Sequence, residues 1–188
     1  VYTDMLDYIR VVVPHFKSWS SLYGWVLVNE PGLGGNIPSG DFTKKRLEVW
    51  RKEHISDRSG YPGYPVLIDL NDQRFLLDYN TWFLQLLASE VRKYDPKTHI
   101  HENNHDIFKN CAEYDFPHWR TFLNSLGGSA HPSWHFGFFK RDKYALAMSA
   151  NSEILRSGAG DIPWFMTEIQ GGNNTYSLSL IHISEPTR

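Results

Sequence analysis

The chain is poor in the features that would assign it quickly to a specialised class. It has one cysteine, Cys111, so no internal disulfide can staple it. No apolar run approaches the roughly 18 residues that a membrane span needs. Neither sign of charge dominates: 19 Lys and Arg face 21 Asp and Glu, for a formal net charge of −2. No basic stripe is present, so neither nucleic acid nor a membrane is an expected partner. No short repeat is visible. There is also no initiating methionine and no signal peptide at Val1, where the chain opens directly into a helical pattern, as though entered midway.

What the chain does have is length, apolar content and aromatic rings. At 188 residues and 41% hydrophobic, it can bury a core of its own. Aromatics reach 15%, with 7 Trp and 10 Tyr. Such rings serve equally well as core and as platforms for the apolar faces of sugars. The last eleven residues, Leu178 to Arg188, resemble a one-frame translation of a transposon-type sequencing adapter. Residues 178–188 are therefore expected to be an adapter-derived, non-native tail.

Periodicity predicts alternating elements. Met5, Leu6, Ile9, Val12, Val13 and Phe16 have helical spacing over Asp4–Lys17, which Pro14 should kink or shorten. Gly24–Val28 is a short apolar strand ending in Asn29-Glu30-Pro31. A Gly-rich loop, 32–40, leads to a helix over 42–54 with Asp41 as a candidate N-cap. After an irregular stretch at 59–65, the clearest helix runs over 72–94, ended by Asp95-Pro96. A strand is predicted over 98–103. A helix is predicted over 116–126, stopped by Gly127-Gly128, then a weaker strand over 128–134. A helix over 141–156 with Gly158 as its cap precedes a strand over 162–167. This alternation argues for an α/β domain with a parallel sheet.

Two carboxylates, Glu30 and Glu168, directly follow two of these strands. In an eight-stranded βα barrel, functional residues sit at the C-terminal strand ends. A carboxyl pair there can cleave glycosides, one member donating a proton and the other attacking the anomeric carbon. That division needs different surroundings, with one carboxyl shifted up and the other kept low.

The flanking residues sharpen this. Trp25-Val26-Leu27-Val28-Asn29-Glu30-Pro31 resembles the fourth strand of the clan A barrel glycosidases, and Trp164-Phe165-Met166-Thr167-Glu168-Ile169-Gln170-Gly171-Gly172 resembles their seventh. The resemblance implies a retaining glycosidase on a TIM (β/α)8 barrel, with Glu30 as acid/base, Glu168 as nucleophile and Asn29 on the sugar 2-hydroxyl. It also implies that residues 1–177 are a partial catalytic barrel of about strands 4 to 7, strands one to three and eight being absent. Within the clan the chain is most similar to glycoside hydrolase family 42, which is β-galactosidase-like, through Thr167 to Asn174 and the long excursion after the first strand. Many members carry Asn-Glu-Tyr where this chain has Asn29-Glu30-Pro31, a form shared with cellulase-like and β-glucosidase-like families. The zinc-binding cysteine cluster of some members is missing. A related clan A β-glycosidase is therefore the alternative.

Position places further polar side chains near such a site. His101, Glu102, Asn103 and Asn104 close one strand, and His131, Trp134 and His135 follow the next. Gln170 follows Glu168. Asn29, Asn103, Trp134, His101, His131 and Gln170 are the expected sugar-binding residues, since hydroxyls want fixed donors and acceptors and ring faces want aromatics. No cofactor and no metal are expected. A rival reading takes His99, His101, His105, His131 and His135 as metal ligands of a barrel metallohydrolase. A non-catalytic carbohydrate-binding relative is a third. The only partner expected is a carbohydrate substrate.

Overall fold

A computed structural model of the chain describes residues 2–32, 35–54, 71–105, 107–136 and 139–169. Helix α1 (Tyr2–Phe16) leads to strand β1 (Gly24–Asn29) and helices α2 (Asp41–His54) and α3 (Asn71–Tyr94). Strand β2 (His99–Asn104) is followed by the short helices α4 (Ile107–Asn110) and α5 (Phe116–Trp119). Strand β3 (Ser125–Ala130) is followed by the single-turn α6 (Pro132–His135), then α7 (Tyr144–Ala159) and β4 (Trp164–Ile169). The four strands form one sheet in the order β1-β2-β3-β4, every pair parallel. Sequential parallel strands joined through helices are the repeating unit of a βα barrel. The fold is α/β, a partial (β/α)8 barrel.

Side chains alternate between the two faces of each strand. Ile100 and Leu126 point outward and are fully buried, as are Trp119 and Leu155 of the surrounding helices. With Leu84, Ala88 and Val91 of α3 they form the main core between sheet and helices. Deleting one such side chain to alanine costs about 2–5 kcal/mol. The link from α3 to β2 is set by turn chemistry. Asp95 Oδ1 accepts from the backbone N–H of Lys97 (3.2 Å) and Thr98 (3.0 Å), and its Oδ2 accepts from Trp25 Nε1 (2.9 Å). Burial pushes the Asp95 carboxyl up, but the donors of Thr98, Trp25 and Lys97 outweigh it and hold the group at about 2.

Five expectations need correction. The strand expected over 128–134 runs over Ser125–Ala130, and Pro132–His135 is helix α6, whose first turn Pro132 favours. Helix α1 runs through Pro14 to Phe16, because a proline in the last turn removes a single hydrogen bond. The helix expected over 116–126 stops at Trp119, and Ser125–Ala130 is a strand. Phe116, Trp119, Leu123 and Leu126 have helical spacing but reach the core from a helical turn, a loop and a strand in succession. Gly127-Gly128 are not a helix stop. They lie mid-strand, where a Cβ at Gly127 would meet Thr167 Oγ1 at 1.8 Å and one at Gly128 would meet Leu155 Cδ1 at 2.7 Å. Helix α7 ends at Ala159 with Gly160 (φ 59°) as its cap, while Gly158 lets Phe116 pack against the helix.

Candidate active site

Strand register decides which residues reach the inner face. Along β1, Val26 pairs with His101 but Asn29 pairs with Asn103, so three steps on β1 match two on β2. Along β4, Met166 pairs with Gly128 but Glu168 pairs with Ser129, so two steps match one. Each irregularity inserts one residue, and one residue turns every later side chain to the opposite face. Trp164 and Met166 point into the helix-side core. Strict alternation would send Glu168 after them. The bulge instead sets Glu168 beside Ser129, and its counterpart on β1 sets Asn29 beside Asn103.

Glu30 ends this first strand in an unusual backbone state. At φ 54° it is the one non-glycine residue in the left-handed region among the described residues. Such a conformation costs about 1–3 kcal/mol. It is held by the Glu30 N–H donating to the Asn103 carbonyl (2.9 Å), and by Tyr114 Oη donating to the next carbonyl, Pro31 O (2.8 Å).

Asn103 is the hub of the site. Its Nδ2 lies 2.9 Å from Asn29 Oδ1, 2.9 Å from Glu168 Oε1 and 3.3 Å from Ser129 Oγ. Asn103 itself is buried, so this amide is a fixed donor rather than a mobile one. His131 Nε2 stands 3.5 Å from Glu168 Oε2, and His105 Nδ1 stands 3.2 Å from Glu30 Oε2. Burial pushes the Glu30 carboxyl up. The Ser129 hydroxyl, His105 and His135 together outweigh it and hold the group below the usual carboxylate range. The sequence expectation that one carboxyl of the pair sits above its ordinary value is thus not met at Glu30, because imidazoles and a hydroxyl surround it.

The other expected residues divide by layer. His101 lies beneath the carboxylates, with Nδ1 at 2.7 Å from Ser125 Oγ and Nε2 at 3.1 Å from Thr167 Oγ1. Desolvation, with a smaller push from His99, lowers it to about 4, so the ring is neutral and forms part of the floor. Glu102 and Asn104 point away from the site, into the helix side. Asn104 Nδ2 donates to the Gly127 carbonyl (2.7 Å), and burial of Glu102 holds its carboxyl well above the usual range. Trp134 belongs to α6, but its side chain, like Gln170, lies outside the described residues. Ser129 lies inside the strand expected over 128–134 but is not among the expected site residues, because the facing of that strand depends on its register with β2 and β4. His135 is buried and, with Glu30 and His131, completes a group of three potential metal ligands whose donor atoms all lie within 4.8 Å of one another.

Two carboxylates thus flank the C-terminal edge of a parallel sheet, one fixed by an amide donor and the other set in a ring of histidines. No family model and no curated protein matches the chain. Solved structures do. The β-galactosidase of the psychrophilic Marinomonas ef1 matches over 91% of this chain and 31% of its own, with a TM-score of 0.69 and 14% identity. The cold-adapted β-galactosidase of Rahnella sp. R3 matches over 95% of this chain and 29% of its own, with a TM-score of 0.63 and 16% identity. The chain therefore spans about a third of the length of these β-galactosidases, and it shares with that part of them its α/β partial-barrel fold.

Proposed function

We propose that the protein carrying this chain is a retaining β-glycosidase, most similar to the β-galactosidases of glycoside hydrolase family 42. Glu30 is the acid/base and Glu168 the nucleophile. One observation carries the reading: two independent register shifts bring Asn29 and Glu168 onto the same buried amide, Asn103, at the strand ends where Glu30 also stands. Nothing in core packing requires a carboxylate there.

In the first half of the reaction, a Glu168 oxygen forms a bond to the anomeric carbon as the glycosidic bond breaks. The Glu30 proton passes to the leaving oxygen. In the second half, Glu30 takes a proton from water, and the water oxygen displaces Glu168. Asn103 donates to Glu168 and holds it aimed. Burial is the largest single influence on Glu30 and acts towards its protonated form, against the larger combined pull of Ser129, His105 and His135. A sugar filling the site deepens that burial and pushes the carboxyl towards the acid the first step needs. Asn29, Asn103 and His131 are the sugar contacts supported by position. Trp134 and Gln170 complete the proposed set.

On this reading residues 1–177 are barrel strands four to seven, and 178–188 are not native. An apolar groove of about 470 Å³ runs between α1 and the outer edge of β1, lined by Ile9, Val12, Trp25 and Leu27 among others. It is where a preceding strand–helix unit would pack. The isolated 188-residue chain is then inactive, since substrate groups read by the other strands have no partners.

The test is a pair of variants in the full-length gene product. Glu168→Ala should abolish turnover, and azide or formate should partly restore it. Glu30→Ala should slow substrates with poor leaving groups far more than activated aryl glycosides. Equal responses of both variants across leaving groups would refute the assignment.

A further inference from the structure

The proposed hydrolysis places His131 beside Glu168 and gives no chemical step to His105 or His135, which cluster with His131 around Glu30. His105 Nδ1 is 3.2 Å from Glu30 Oε2. The His105 and His135 rings meet edge to face at 4.9 Å between centroids, and those of His131 and His135 lie 4.8 Å apart. His131 and His135 are buried, with only 8% and 1% of their surface exposed. Short elements hold them: His131 follows β3, and α6 returns His135 one turn later, its Nδ1 accepting from the His131 N–H at 3.4 Å.

We propose that Glu30, His131 and His135 form a binding site for a single transition-metal ion of the zinc class, and that this ion switches the glycosidase site off. Two imidazoles and one carboxylate, with a fourth position left to water, are a ligand set that zinc accepts. Ligands about 2.1 Å from a tetrahedral ion stand about 3.4 Å apart. The three donor atoms here lie within 4.8 Å of one another. Closing that gap takes a small side-chain swing by Glu30, whose side chain is 22% exposed and so has room to move. Imidazole selects zinc, copper and nickel over magnesium and calcium, which prefer all-oxygen shells. A carboxylate held by such an ion cannot carry the proton that the leaving group needs. The ion-binding half of the proposal stands on geometry alone, whereas the inhibition rests on the glycosidase reading of Glu30.

The experiment uses the full-length gene product, stripped with a chelator and titrated with Zn²⁺ alone by calorimetry. One ion per chain should bind, and Mg²⁺ or Ca²⁺ should not. Loss of a supporting partner near a metal costs about 10–100-fold in affinity, so Glu30→Gln and His135→Gln should each weaken zinc at least about 100-fold. Should His135→Gln fail to fold, Glu30→Gln carries the test, since it keeps shape and removes only the carboxylate. Co²⁺ in the site should show the visible bands of a tetrahedral ion, and these should vanish in Glu30→Gln. Aryl-glycoside turnover should fall over the same zinc concentrations that fill the site and return with EDTA. Absence of binding, or binding that survives Glu30→Gln, would overturn the site. Full turnover with zinc bound would overturn the switch. Zinc binding that depends on Glu30 and His135, in a protein with no glycosidase activity even when metal-free, would sustain the site and sink the glycosidase reading instead.

Discussion

Gly127→Ala tests the packing beneath the carboxylates without touching either of them. Gly127 lies in β3, between Asn103 of β2 and Phe165 of β4. Its backbone is hydrogen-bonded on both sides and cannot give way. A methyl group there would stand 1.8 Å from Thr167 Oγ1 and 2.5 Å from His101 Nε2, the two atoms that make the 3.1 Å contact under the site. Forcing one methylene into a packed region costs about 1–3 kcal/mol. Splitting the His101–Thr167 hydrogen bond adds about 1 kcal/mol. The expected loss is about 2–4 kcal/mol, or a fall in Tm on the order of 10 °C for a domain of this size. Thermal unfolding of the full-length gene product, followed by circular dichroism, measures it. The double variant Gly127→Ala/Thr167→Ala removes the closest clashing atom. It should be less destabilised than the sum of the single variants by about 1 kcal/mol or more. A Gly127→Ala protein within about 0.5 kcal/mol of the parent, or a strictly additive cycle, would refute the packing argument.

Further outcomes follow from the same geometry. Glu30→Gly should lose turnover yet leave stability unchanged or raise it by about 1 kcal/mol, because glycine carries no penalty at φ 54°; a clear loss of Tm would contradict the strain. Asn103→Asp replaces the amide donor 2.9 Å from Glu168 with a second carboxyl. Two carboxylates that close cannot both ionise freely, so kcat/KM should fall by about 100-fold or more, judged against the neutral control Asn103→Ala. His101, lowered to about 4 from 6.5, leaves stability intact above about pH 6.5 and erodes it as pH falls towards 4. Asp95, lowered to about 2 from 3.8, contributes stability above about pH 3.8 that is lost as pH falls towards 2. His101→Gln and Asp95→Asn should each flatten Tm in their own window, and unchanged pH profiles would contradict both. A crystal structure of the complete protein should place the carboxyl groups of Glu30 and Glu168 about 5–5.5 Å apart, as retention requires; a gap beyond roughly 9 Å would exclude it.

Much of the molecule is legible in local chemistry. The apolar run at 24–28, the long amphipathic pattern of α3 and its termination at Asp95-Pro96 are properties of neighbouring residues, and they recur in the structure almost at their expected bounds. So does the α/β class, since alternation of strand and helix periods is itself sequence information. The residues around the site are less legible. Gly127-Gly128 reads as a helix stop because glycine commonly ends helices, whereas here it is the absence of a Cβ beside Thr167 and Leu155 that matters. That reason exists only once β3, β4 and α7 have packed.

The facing of the site is a tertiary property altogether. His101, Glu102, Asn103 and Asn104 form one polar run, and the pleat sends the first and third inward and the others out. Glu168 faces the site only because β4 carries one extra residue against β3, and Asn29 only because β1 does so against β2. A bulge leaves little local signature, since it is a mismatch between two strands and belongs to neither alone. The residue types able to do the chemistry, and their order along the chain, are thus written in the sequence. Their convergence on the Asn103 amide depends on the register between strands, which hydrogen bonding across the sheet settles.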